Sequence, residues 1–254
     1  MTALVIAMVG RKGGSGKTTT AFNLAGALAA TNKRVLLVDA DPQGSLSRIL
    51  MGDMPSEGLG ARLIAPARGV SDLIAPTGTP NLDLLPGNAT MRETRSQLAG
   101  NPAASVRLRS LLTPLAGYDA IIIDTPPELD FPSASAVLAA QLCLLPTDLS
   151  QQSLDALEDT VRFVAEQEPL GGGRLAGIVP TDVRAREVFD RVASTCNDLG
   201  LFAEEYDTRA NEMLGNFPQG LTHLSHIAAA VAIANARRDD PSAGERATAS
   251  HSRG

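Results

Sequence analysis

The chain has 254 residues, 44% hydrophobic and 20% charged, with a formal net charge of −6. That length suffices for one α/β domain with a substantial core, and no apolar run approaches the roughly 18 residues that would cross a bilayer. The acidic balance supplies no overall attraction to nucleic acid, and 3% aromatic content leaves too few rings for a base-stacking platform.

The opening MTALVIAMVG has no basic lead and no cleavage-site pattern, so residues 3–9 read as a strand and not as a leader. A glycine-rich run follows, then a helical stripe of Phe22, Ala25, Leu28 and Ala29. RVLLVD (34–39), NLDLLP (81–86), DAIIID (119–124), QLCLLP (141–146) and LAGIVP (175–180) read as further strands. Their near-continuous Val, Ile and Leu suits strands buried on both faces. Residues 53–80, rich in Gly, Pro and Ala, read as a surface excursion with a short helix. Leu154, Leu157, Val161 and Val164 form a second helical stripe. This alternation predicts an α/β fold, a mostly parallel twisted sheet with helices on both faces. The expected organisation is one domain over 1–238 and a disordered polar tail over 239–254. Cys143 and Cys196 lack CxxC spacing, which fits reduced buried thiols in a cytoplasmic protein.

The stretch GRKGGSGKTTT, Gly10 to Thr20, nearly matches the phosphate-loop pattern G-x-x-x-x-G-K-[ST]. Counting back from Gly16, Lys17 and Thr18, the pattern's first glycine falls on Arg11, and a second lysine, Lys12, sits inside the loop. Of 22 basic residues only Lys12, Lys17 and Lys33 are lysine, so two of them share one short window. Lysine offers a compact point charge where arginine offers a planar fork. Gly13, Gly14 and Gly16 let backbone N–H groups approach phosphates without a Cβ in the way, and the helix N-terminus adds partial positive charge. Lys17 is expected to reach the β- and γ-phosphates and the Thr18 hydroxyl to bind magnesium. The ligands expected are therefore ATP and Mg2+ in a P-loop NTPase fold, with Arg11, Lys12, Gly13, Gly14, Ser15, Gly16, Lys17, Thr18 and Thr19 around the nucleotide.

Asp124 ends a buried strand, where a magnesium carboxylate belongs opposite Thr18. Pro126 and Pro127 stiffen the segment after it, which would sense the γ-phosphate. Asp39 and Asp41, in VDADPQGS, lie two apart at the end of the second strand and point to one side. One of them can position an attacking water while the other supports the metal.

KGGSGKTTT, VLLVDADPQGS and YDAIIIDTPPELD, in this order and spacing, resemble the ParA group of deviant Walker ATPases, which includes MinD. GVSDLI and NLDLLPGN resemble the ParA segment leading into the third strand. The resemblance is strongest over residues 1–145 and implies a small form without an N-terminal helix-turn-helix. It implies that Lys12 is the signature lysine, reaching the partner's phosphates across an ATP-sandwiched dimer. It also implies that Asp41 positions the water and Asp39 assists the metal site. Lys12, Lys17 and Asp41 are then the catalytic set, and Thr18, Asp39 and Asp124 the metal set. A ParA-like protein would bind duplex DNA non-specifically as an ATP homodimer, associate with the nucleoid, and be stimulated by a ParB-like adaptor on its cargo.

Arg184, Arg186, Arg191 and Arg209 are the candidate DNA contacts, Arg184 and Arg191 sharing a helix flank by their seven-residue spacing. The family's adenine-contacting IPR element is absent near EYDTRAN, and Pro180 and Thr181 are expected to line the adenine side instead. The alternative is a MinD-like ATPase that positions a membrane or protein cargo. Its membrane form needs an amphipathic anchor, whereas LTHLSHIAAAVAIANARRDD is alanine-rich and ends in acid. An iron–sulfur reductase would need paired cysteines, and a ligase on this scaffold would lack Lys12. His223 and His226, three apart, have no third metal ligand in view and read as structural.

Overall fold

A computed structural model describes residues 3–87, 90–148 and 150–181, together with the short segments 205–207 and 212–214. Met1–Thr181 forms one compact unit and Asp182–Gly254 a second.

In the first unit the elements follow as β1 (Leu4–Met8), α1 (Lys17–Ala30), β2 (Val35–Asp39), α2 (Ser45–Met51) and α3 (Leu59–Ile64). Next come β3 (Ala75–Pro76), β4 (Leu82–Leu85), α4 (Met91–Leu98), α5 (Arg107–Leu112) and β5 (Ala120–Asp124). The unit closes with α6 (Phe131–Ala139), β6 (Leu142–Thr147), α7 (Gln151–Gln167) and β7 (Arg174–Pro180). In the second unit β8 (Glu205–Asp207) pairs antiparallel with β9 (Glu212–Leu214). Arg184, Arg186, Arg191, Arg209, Cys196, His223, His226 and the tail 239–254 lie outside the described residues.

The sheet order is β3-β4-β2-β5-β1-β6-β7. All neighbours are parallel except β3 and β4. The architecture is the P-loop NTPase α/β fold. The pleat sends alternate side chains to opposite faces. From β1, Val5 and Ala7 join the core beneath α3 to α7, while Ile6 and Met8 join the core beneath α1 and α2. β2 and β5 are buried along their whole length, as their unbroken apolar runs require. Each buried Leu or Ile contributes about 1.5–3 kcal/mol to this double core.

α1 packs through Ala21, Ala25 and Ala29, four residues apart, whose small side chains let the helix backbone approach the sheet closely. The helical stripe expected from Phe22 and Leu28 is therefore the flank of the contact: both are half-buried beside these alanines. Asn32, in the left-handed region at φ 62°, follows the helix end.

Registers fix the functional edge. Asp39 of β2 lies beside Asp124 of β5, and Met8 of β1 lies on the other side of Asp124. The loop leaving β1 and the acids ending β2 and β5 thus meet at the carboxyl edge of the parallel strands, where α/β sheets bind ligands.

Candidate active site

The loop runs from Gly10 to Gly16 and enters α1 at Lys17. Gly16 is held at φ 85°, and a Cβ there would stand 2.8 Å from Thr181 Cβ. Both the left-handed backbone and the crowding require glycine. Thr181 also donates its hydroxyl to the Ser15 carbonyl at 2.8 Å, and its own N–H bonds Thr147 O at 2.9 Å. Pro180, beside Thr147 on β7, precedes this contact. Of the two residues expected on the adenine side, Thr181 therefore lies against the loop backbone at Ser15 and Gly16. Gly13 has open space around it. Thr19 is exposed on the first turn of α1. Ser15 is buried, its hydroxyl without a hydrogen-bond partner.

Lys17 is 6% exposed and donates to the Lys12 carbonyl at 2.9 Å. Burial lowers its pKa, against the opposing fields of Asp124, Asp41 and Glu128. Thr18 donates to Asp124 Oδ2 at 2.7 Å, while Asp124 Oδ1 is buried with no hydrogen-bond partner. Burial pushes the Asp124 carboxyl up to about 7, opposed by the Thr18 bond and reinforced by Asp39 and Asp41. A hard divalent cation fits this pair. A hydroxyl and a carboxylate with one idle oxygen are the donor set magnesium takes, completed by water and phosphate oxygens.

Asp39 and Asp41 divide the work differently from one another. Asp39 is fully buried, its Oδ2 accepting from Ser47 N at 2.8 Å and Ser47 Oγ at 2.6 Å, its Oδ1 from Asp41 N at 3.3 Å. Ser47 Oγ in turn accepts from Gly87 N at 3.0 Å, joining β2, α2 and the end of β4. A Cβ on Gly87 would come within 2.9 Å of Asp39 O, so this junction also needs glycine. Asp41 closes a turn, accepting from Gln43 N at 2.8 Å through Oδ1. Burial raises the pKa of both acids. Asp39 thus braces the turn that carries Asp41 and adds its field at Asp124.

Lys12 and Arg11 face the other way, onto α7. Lys12 Nζ bonds Asp148 Oδ2 at 2.6 Å and Ser150 Oγ at 2.7 Å. The Lys12 ammonium, with Ser153, holds the Asp148 carboxyl below the usual carboxylate range. Arg11 pairs its guanidinium with Asp159, and its N–H bonds Thr160 Oγ1 at 3.3 Å. The four residues Asp148, Ser150, Asp159 and Thr160 escaped sequence reasoning, as did Ser47. The one local signal was TDLS before a helix, in which Ser150 caps α7 by accepting from Ser153 N.

Residues 3–169 match a family model described as an AAA domain. The chain is 35% identical over 184 residues to maintenance of carboxysome distribution protein A of Synechococcus elongatus, covering 70% of this chain and 71% of that protein. It is 33% identical over 178 residues to the chromosome partitioning protein ParA of Caulobacter vibrioides, covering 63% and 61%.

The chain belongs to the ParA family of partition ATPases.

Solved structures agree with this ParA fold. A Cyanothece McdA variant in complex with ATP superposes at TM-score 0.64 and 30% identity, covering 70% of each chain. A cobyrinic acid a,c-diamide synthase from Mycobacterium smegmatis, with a bound ATP analogue and magnesium, superposes at TM-score 0.69 and 25% identity, covering 89% and 91%. The chain spans 65% of the length of a Mycobacterium tuberculosis relative that it matches at 34% identity. Among the described residues of this ParA-family chain, no helix is long and apolar enough to cross a membrane. Cys143 is buried, and burial pushes its thiol up to about 12.

Proposed function

We propose that the chain is a magnesium-dependent ATPase that dimerises on ATP, binds duplex DNA non-specifically in that state, and positions cargo with a ParB-like partner. Residues 1–238 would form the ATPase domain, and the protein would be cytoplasmic and nucleoid-associated when ATP is bound. The observation that carries this reading is the convergence of Lys17, Thr18, Asp124 and Asp41 around one loop that also bears a second lysine. Lys17 would neutralise the β- and γ-phosphates, and the N–H groups of Gly13 to Lys17 would cradle them. Thr18 and Asp124 would hold magnesium, which supplies a counter-charge to the transferring phosphoryl group. Asp41, on its braced turn, would orient the attacking water.

Lys12 would act on a second copy of the chain. A cation supplied in trans stabilises phosphate charge only when two subunits meet, so ATP becomes the bond between them. Arg184, Arg186, Arg191 and Arg209 would carry the phosphate contacts to DNA. The test is fluorescence anisotropy with random-sequence duplex DNA, comparing ATP with ADP across a salt series. Binding that needs ATP and falls steeply with salt is expected; no binding by a verified ATP dimer would overturn the DNA reading.

A second reading replaces DNA-borne cargo with a protein assembly. The similarity to the carboxysome distribution protein favours it, and the ATPase site would work identically. The similarity to a diamide synthase raises a ligase on the same scaffold. Lys12 argues against it, and phosphate release from ATP with no acceptor present separates the two.

A further inference from the structure

The lysines and glycines of the loop have roles in the reading above, whereas the hydrogen bond from Thr181 to the loop has none. Thr181 follows β7 directly, and the sheet fixes its place. Pro180 stands beside Thr147 in the β6–β7 register, and Thr181 N–H donates to Thr147 O at 2.9 Å. From that fixed point the Thr181 hydroxyl donates to the Ser15 carbonyl at 2.8 Å. The Ser15 side chain adds no tie of its own, since its buried hydroxyl has no hydrogen-bond partner. On the helix side, the Gly16 carbonyl accepts from Thr20 N at 2.8 Å and begins the α1 ladder. The Ser15–Gly16 peptide is therefore the last before the helix, and Thr181 holds it.

Holding that carbonyl also fixes the other half of the peptide. In a trans peptide the C=O and N–H point to opposite sides, so with Ser15 O turned toward Thr181, Gly16 N–H points away from it. The Thr181 side chain fills the space beside Gly16 as well: a Cβ there would stand 2.8 Å from Thr181 Cβ and 2.9 Å from its Cγ2. A phosphate must approach from the free side, the side to which the N–H is turned. No side chain caps α1, which leaves the N–H groups of its first turn for an anion.

We propose that Thr181 is a positioning residue for the nucleotide phosphates: by holding Ser15 O it aims Gly16 N–H at them, in place of the adenine contact expected from the sequence. This rests on the nucleotide-site reading above.

The experiment measures Kd by titration calorimetry for MgATP, MgADP and magnesium tripolyphosphate, which carries three phosphates and no base. Thr181→Val keeps the shape of the side chain and removes the hydroxyl, whereas Thr181→Ser keeps the hydroxyl. Thr181→Val should weaken all three ligands alike, by about tenfold, the scale of one well-placed hydrogen bond. Thr181→Ser should bind within about twofold of wild type. Thr181→Ala, which also lacks the hydroxyl, should repeat the loss and serves if Thr181→Val fails to fold. A loss confined to ATP and ADP, with tripolyphosphate unchanged, would place Thr181 on the base and overturn the inference. Affinities unchanged in Thr181→Val, with only the melting temperature lowered, would make the bond merely structural and overturn it too. Wild type that binds none of the three overturns the nucleotide reading, and the inference falls with it.

Discussion

Lys17 joins almost complete burial to three acidic neighbours, Asp124, Asp41 and Glu128. Its ammonium is costly to keep charged in that setting, and a bound triphosphate would repay the cost by direct pairing. Lys17→Ala should weaken MgATP binding by about a hundredfold, the scale of losing one charge-assisted contact of almost 3 kcal/mol. Calorimetry checks it, and affinity retained within a few-fold would remove Lys17 from the phosphates. Lys12 poses the reverse problem, since its ammonium is satisfied within its own chain by Asp148 and Ser150. If it serves a second copy, it must first leave them. Lys12→Ala should therefore lose ATP-dependent dimerisation, while Asp148→Asn should form dimers at lower ATP concentration than wild type. Light scattering reads both, and an Asp148→Asn protein that needs more ATP would show that Asp148 assists the dimer instead of competing with it.

Elements carry a second set of ties at the amino edge of the sheet, away from the nucleotide. Tyr118, just before β5, donates to Asp83 of β4 at 2.9 Å, and Arg34, just before β2, lies 4.9 Å from the Tyr118 ring centre. Burial, then Asp83, pushes the phenol pKa up to about 12 from its ordinary 10. A group whose proton is held more tightly when folded contributes stability that is full below its unfolded pKa. That contribution is lost as pH rises through the folded value, so the window is pH 10 to 12. In a Tyr206→Phe background Tyr118 is the one tyrosine left, and its absorbance at 295 nm should titrate well above pH 10. Asp83→Asn should lower that midpoint, and an unmoved one would deny the tie. Such ties were not legible in the sequence. The six longer strands were, because Val, Ile and Leu recur in each, most densely in β2 and β5, which are buried along their whole length. Two-residue β3 was not, since Ala75 and Pro76 are too few to show a period. The six- to nine-residue helices α2 to α6 show barely two turns, too little for a stripe. At the site, loop and acids were legible as local motifs, but Asp148 lies 136 residues from Lys12. Ser47, on α2, meets Asp39 only because the chain turns back between β2 and α2. Arg62, 1% exposed between Glu57 and Asp72, looked like any surface arginine.

At the scale of the whole molecule, the loop geometry separates two sets of groups. Lys17, Thr18, Asp124 and Asp41 converge within one subunit, while Lys12 points toward α7. If the working site is cis for the first four and trans for Lys12, two different defects should repair each other. A Lys12→Ala chain keeps a whole cis site but offers its partner no lysine. An Asp41→Ala chain cannot orient the water but still lends Lys12 across the interface. Neither alone should turn over ATP. In a symmetric dimer each chain gives what it receives, so a mixed dimer contains one complete site and one lacking both groups. Because Lys12→Ala chains should not pair with one another, up to all of the dimers can be mixed, each with one working site of two, which caps the recovered rate at about half of wild type. Steady-state phosphate release from an equimolar mixture measures it directly. Recovery approaching that ceiling, rising with total protein concentration, fits a trans lysine. A mixture as inactive as its parts, with mixed dimers verified by differently tagged chains, would place Lys12 in its own subunit's site. The dimer would then have to be explained by surfaces other than the loop.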